Sequence, residues 1–280
     1  MPGLGPETDL LGWVPAPACP PASARGLLGR KGLLGKEPAT LLALCAVHRA
    51  LGLEPGSGPR GRDQPVDPGT AVVVSSNLGN LATVCAVTRA AYDGRLRDVS
   101  PLEAPNLSSN VIAGSVAIRF GFAGPNLMVC SGETSGTDAL AAAVRLIRSD
   151  RCRRAVVVGV EPRDDITDAL LKPAGHLFGG AACVVLEASN GGIVMGPVTA
   201  GRSPQIGEAD VVLAAPDVAA GDGALVLDEC LAATYGARGV VQAAVASQAV
   251  ASGRASSVKV VDGGPAYGYR SFTVRAGASR

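Results

Sequence analysis

Two short runs, Ala71-Val72-Val73-Val74-Ser75 and Ala155-Val156-Val157-Val158-Gly159, constrain this chain more than any other feature. Neither alternates apolar with polar residues, so each reads as a strand buried on both faces, and such a strand needs cover on both sides. The stretches between and after them supply it. Asn80 to about Ala91, Asn106 to Phe120 and Thr134 to Arg148 carry helical periodicity, the last with Leu140, Ala143, Val144 and Ile147 on one face. Strands alternating with helices predict an α/β fold whose buried sheets are covered by helices.

Further strands are expected at Asn126–Cys130, Ala181–Leu186, Gly192–Ala200, Val211–Ala214, Val258–Val261 and Ser271–Arg275. Further helices are expected over 38–52, 223–234 and 238–252. Residues 1–24, rich in Pro, Gly and Ala, read as an extended arm, and 25–36 as a basic loop punctuated by Gly. The expected organisation is an N-terminal arm, basic loop and helix over 1–69, one half over 70–190 and a reduced second half over 191–280.

Composition narrows the function. The 280 residues are 47% apolar and 18% charged, with a net charge of +1, so bulk charge gives no reason to expect nucleic-acid binding. No run reaches the length of a membrane span, and no signal peptide is apparent. Seven cysteines at irregular spacing include no CxxC pair, so neither a zinc site nor a disulfide scaffold is indicated. Buried, reduced thiols and a cytoplasmic setting are the expectation. The only histidines are His48 and His176, both read as surface or capping residues.

Chemistry is expected where a strand turns into a helix. Gly124-Pro125-Asn126-Leu127-Met128-Val129-Cys130-Ser131-Gly132-Glu133-Thr134-Ser135-Gly136 passes from a short apolar run into a helical pattern, with Glu133 at the turn. Ser131 or Ser135 acting as a hydrolase nucleophile would need a His and an acid within reach. Cys130 is expected inside the buried strand.

Over residues 105–186 the sequence resembles the β-ketoacyl synthases of the thiolase fold. Residues 105–114 are similar to that family's interface helix, and 117–126 to its xIxxGxxGPN approach to the nucleophile. Residues 154–161 and 179–187 are similar to two of its strands. The resemblance covers 70–190 well and 209–275 more loosely. It implies a thiolase-like layered αβαβα fold, shortened relative to the family, whose starting strand is not recognisable at residues 1–10.

The family's chemistry uses an elbow Cys, two His, a Lys and a Glu. On this resemblance Glu133 replaces the Cys, and Ala215 and Ala233 replace the His pair. The Lys falls near Asp228 and the Glu near Gln242. No catalytic residue is then expected, and no metal or cofactor is implied. The resemblance points to a chain-length factor, the ketosynthase β subunit of a type II polyketide synthase, of the compact, reducing, polyene-forming kind. Such a pseudoenzyme forms a heterodimer with an active ketosynthase and meets an acyl carrier protein bearing the growing chain. By the same resemblance Leu78, Ala82, Cys85 and Ala86 line a tunnel that sets chain length. Ser108, Ser109, Val111, Ile112 and Glu133 lie at the interface, and Arg25, Arg30, Lys31 and Lys36 attract the acidic carrier. A malonyl-carrier decarboxylase that primes chains, and a stand-alone structural homodimer, remain as alternatives.

Overall fold

The computed structural model describes residues 21–61, 63–171, 176–188, 191–218 and 224–277. Helices α1 (Pro21–Leu28) and α2 (Pro38–Ala50) come first. A first sheet is built from β1 (Thr70–Ser75), β2 (Asn126–Val129), β3 (Arg154–Glu161) and β4 (Gly180–Glu187) in the order β2-β1-β3-β4. β1 runs parallel to β2 and β3, whereas β4 is antiparallel to β3. Between these strands lie α3 (Leu81–Tyr92), α4 (Val111–Phe120), α5 (Ser135–Arg148) and α6 (Asp165–Leu171).

The second sheet has the order β5-β9-β8-β7, from β5 (Ile193–Met195), β9 (Gly268–Ala276), β8 (Ser257–Gly264) and β7 (Val211–Ala214). β6 (Thr199–Gly201) also pairs with β9. The helices of this half are the short α7 (Leu227–Leu231) and α8 (Arg238–Ala251).

The valine runs explain the layering. Successive strand side chains point to opposite faces. Ala71, Val73, Ala155 and Val157 enter one core with α5, α8 and the inner face of the second sheet. Val72, Val74, Val156, Val158 and Val160 enter another with α1, α2 and α4. Each fully buried valine contributes roughly 1.5–3 kcal/mol of transfer free energy. α5 and α8 form the middle layer and touch at their first turns. A Cβ on Gly136 would lie 2.7 Å from the Gly239 backbone nitrogen, so only glycine permits that approach. The outer face of the second sheet carries a small cluster, Ala214, Ala215, Val218, Val261 and Tyr269, in place of a helical layer among the described residues.

Several boundaries differ from the sequence expectation. Asn106–Phe120 splits into a 3-10 turn (Ala104–Leu107) and α4. The helix expected over 223–234 shrinks to α7, ending at Ala232, whose φ of 68° leaves the helical region. Gly192–Ala200 divides into β5 and β6. The basic stretch is helical through Leu28, so Arg25 belongs to α1. The arm expected over 1–24 lies outside the described residues up to residue 20, and its last four residues begin α1. Among the described residues no helix is long and apolar enough to cross a membrane.

Candidate functional site

The elbow forms where β2 ends and a 3-10 turn (Gly132–Thr134) leads into α5. Gly132 adopts a φ of +74°, and a Cβ there would strike the Tyr267 ring at 2.4 Å. A dense hydrogen-bond net holds the turn. Asn77 Nδ2 donates to the Gly132 carbonyl (2.8 Å), and Gly132 N donates to Asn77 Oδ1 (3.2 Å). Ser135 Oγ donates toward Asn77 Oδ1 and the Gly132 carbonyl, and Ser131 Oγ donates to Asp138 Oδ2. The two serines considered as nucleophiles thus have their hydroxyls committed to holding the turn.

Beneath the turn lies Glu161, fully buried at the end of β3. It accepts from Ser76 Oγ (3.1 Å), Asn77 N (2.8 Å) and Leu78 N (3.1 Å), and also from the Gly236 backbone. Burial outweighs these donors and raises its pKa to about 7. Glu161 therefore ties the Ser76–Leu78 loop, which precedes α3, to the turn preceding α8.

Glu133 points into an ion-pair cluster that the sequence reading missed. Its Oε2 is 3.6 Å from Arg238 Nη1. The Arg238 side chain, only 6% exposed, also lies 3.3 Å from Asp228 Oδ2 and 3.4 Å from Asp262 Oδ1. Thr137 Oγ1 and Gly263 N complete the shell of the buried Asp262. Burial pushes the Asp262 carboxyl upward, opposed by Arg238 and these donors. Desolvation works against the Arg238 charge, yet its three carboxylate neighbours raise its pKa. The cluster sits at the first residue of α8, where the helix dipole favours the carboxylates. The signal in the sequence was a pair of carboxylates, Glu133 and Asp228, at positions where the resemblance puts a Cys and a Lys, which leaves negative charge in need of a cation.

The other expected site residues divide. Ala215 is fully buried and Ala233 partly so. His176, expected at the surface, has an exposed ring 3.0 Å from Asp168, and its carbonyl accepts from Ala233 N (3.1 Å). His48 was read as a surface or capping residue; it is buried in α2, with Nε2 3.2 Å from the Glu54 carbonyl. Cys130 was expected inside a buried strand but lies just past β2 and is exposed as a residue. Its Sγ rests 3.1 Å from the Ser76 carbonyl, and partial burial together with Glu161 raises the thiol pKa. Gln242 is fully buried in α8. Among the described residues no cluster of His, Cys, Asp and Glu suits a metal ion.

Leu78, Ala82 and Cys85 are half-buried and Ala86 is exposed, on or just before a helix in which only Thr83 is buried. Ser108 and Ser109 are exposed and Val111 is half-buried. Ile112 turns into its own core, leaving Ile118, 83% exposed, as the apolar residue α4 presents outward. Arg25, Arg30 and Lys31 are exposed, whereas Lys36 turns inward and donates to Ser115 Oγ (2.9 Å), its pKa lowered by burial. The carrier-facing role expected of Lys36 therefore conflicts with its position.

Residues 35–197 match the family described as Beta-ketoacyl synthase, N-terminal domain. The chain belongs to that family. A mitochondrial 3-oxoacyl-[acyl-carrier-protein] synthase of Arabidopsis thaliana is 26% identical over 96 residues, which span 34% of this chain and 21% of that protein. Among solved structures, the ishigamide ketosynthase/chain length factor is 20% identical, with a TM-score of 0.72 over 97% of this chain and 90% of that one. A type II PKS acyl-carrier protein in complex with its ketosynthase bound to the hexaketide is 12% identical, with a TM-score of 0.63 over 91% of this chain and 92% of that one. These structural likenesses show a thiolase-like ketosynthase fold.

Proposed function

We propose that this ketosynthase-like chain is a catalytically inactive subunit that pairs with an active ketosynthase and limits the length of the chain the pair makes. The observation that carries this reading is the Glu133–Arg238 pair at the elbow. A carboxylate that took the acyl group would form a reactive mixed anhydride in place of the thioester a thiol forms, and a guanidinium neither accepts a proton nor replaces an imidazole. Ala215 and Ala233 stand where the resemblance puts the family's histidines, so decarboxylation and oxyanion stabilisation lack their groups.

Pairing is supported by what the chain leaves uncovered. β2 is an outer strand of its sheet, with Leu127 exposed, and α4, which packs on it, carries exposed Ile118. An exposed outer strand with apolar side chains on it and on its helix is the kind of surface that supports association. The first solved structure described above is a ketosynthase/chain length factor, and the second contains an acyl-carrier protein. By analogy the partner supplies the thiol, and the loop and helix from Leu78 to Ala86 shape the far end of the acyl tunnel.

The test is co-purification with a candidate ketosynthase, followed by incubation of each species with malonyl-carrier protein. A tight 1:1 complex, with condensation abolished by losing the partner's Cys alone, is expected. The chain alone is expected to release no acetyl-carrier. Acetyl-carrier formation without a partner would instead establish a priming decarboxylase, and a stable homodimer that ignores every ketosynthase would establish a structural role.

A further inference from the structure

α3 is held to the rest of the chain at few points. Its only buried residue is Thr83, and it packs chiefly on two 3-10 turns (Leu96–Asp98 and Ala104–Leu107) and on α6 rather than on a sheet. The helix follows Asn80, a residue type that often caps a helix through its side-chain oxygen. Here Asn80 makes no such bond; its Nδ2 donates to the Asn106 carbonyl (3.1 Å). The Thr83 N–H, in the first turn, donates instead to Glu37 Oε1 (2.8 Å), 46 positions away in sequence. Glu37 stands at the N-cap of α2 and likewise makes no side-chain bond to its own helix. Its carboxylate is buried. Burial, with the Asp164 and Glu103 carboxylates nearby, raises its pKa, and Thr83 opposes the rise by donating from both backbone and hydroxyl. The two residues before it reach other elements. The Gly35 carbonyl accepts from Asn106 Nδ2 (2.8 Å), and Lys36 Nζ donates to Ser115 Oγ on α4 (2.9 Å).

We propose that Gly35-Lys36-Glu37 is a clasp that sets the position and rotation of α3 against α4, with Glu37 as the positioning residue. Three consecutive residues bind three elements: the 3-10 turn before α4, α4 itself and α3. Neighbouring Cα atoms are about 3.8 Å apart, so these attachments leave little slack between the two helices. Successive helix residues turn by about 100°, so holding Thr83 inward also fixes the directions of Ala82, Cys85 and Ala86 around it. Glu161 holds the loop before α3 through Leu78 N, whereas Glu37 holds the helix itself. That the clasp governs chain length rests on the tunnel reading of Leu78 to Ala86 given above. On that reading Glu37 does not touch the growing chain and acts through α3.

Hydrogen exchange and product length, both measured on the pair co-purified with its ketosynthase, test the clasp. Glu37→Ala is expected to speed exchange of the α3 amides several-fold, leave α5 and α8 unchanged, and broaden the spread of product lengths. Glu37→Gln, whose amide oxygen still accepts from Thr83 N, is expected to restore slow exchange and the native product pattern. Thr83→Val removes only the hydroxyl's bond and is expected to give a smaller rise in exchange over the same helix. Unchanged α3 exchange in Glu37→Ala, or faster exchange in every helix alike, would overturn the clasp. So would an unchanged product from a loosened α3 in a pair whose product Ala82→Phe shortens. Should Ala82→Phe also leave the product unchanged while α3 alone loosens, the clasp stands and the tunnel reading falls.

Discussion

Glu133 Oε2 and Arg238 Nη1 lie 3.6 Å apart, joining the elbow turn to the first residue of α8. Because Arg238 also meets Asp228 and Asp262, the pair is the exposed corner of a cluster whose deepest member, Asp262, is fully buried. The members are therefore unequal in what their removal does.

Arg238→Met is expected to lower stability by about 3–5 kcal/mol, because it leaves buried carboxylates without a counter-charge. Glu133→Gln should cost no more than about 1 kcal/mol, since that side chain is 27% exposed and Arg238 retains two carboxylates. Urea denaturation of both variants measures the contrast; equal losses would mean that the cluster does not act through Asp262.

Glu161 makes stability depend on pH. Its folded pKa of about 7 lies above the ordinary value of 4.5, so the folded state holds the proton more tightly than the unfolded state. The contribution is fully present below about pH 4.5, declines above it, and is lost once pH passes about 7. The change amounts to roughly 3 kcal/mol at 1.36 kcal/mol per unit. Urea midpoints between pH 5 and 8 should fall for the native chain and flatten in Glu161→Gln.

Ala82→Phe and Ala86→Phe probe the tunnel reading. Ala82 is half-buried and Ala86 exposed on the chain's own surface, so added volume should leave the fold intact. Where a growing chain fills the space beyond them, overpacking of about 1–3 kcal/mol should shorten the product. Product length from the co-expressed pair is the readout; unchanged length with an intact complex would sink the tunnel assignment.

The basic residues separate by their environment. Neutralising Arg25, Arg30 and Lys31 together should weaken binding of an acidic carrier protein at low salt, with the difference shrinking as salt rises. Lys36→Met should instead affect stability more than carrier affinity, because Lys36 Nζ is already bonded to Ser115 on α4. Titrations at two ionic strengths test both expectations.

The strands and their order along the chain were legible because their signal is local. Val72 to Val74 and Val156 to Val158 must be buried on both faces wherever they occur, and the period of α5 identifies its inner side. The elbow was legible for the same reason, as a strand, a glycine and a helix in succession. Element ends were less legible: α7 stops where Ala232 takes a positive φ, a conformation that the sequence of an alanine does not announce. Ile112 and Ile118 look alike in the sequence of one helix, and only packing assigns one to the core and the other to the surface.

By itself the sequence determined the α/β class, the place of the elbow and the presence of a carboxylate where the resemblance puts a thiol. These depend on residue type and on neighbours a few positions away. The tertiary structure decided what that carboxylate faces. Glu133 and Arg238 are 105 positions apart, and Asp262 lies on another strand. Their meeting follows from two helices crossing at Gly136 and Gly239, a contact set by the stacking of two sheets.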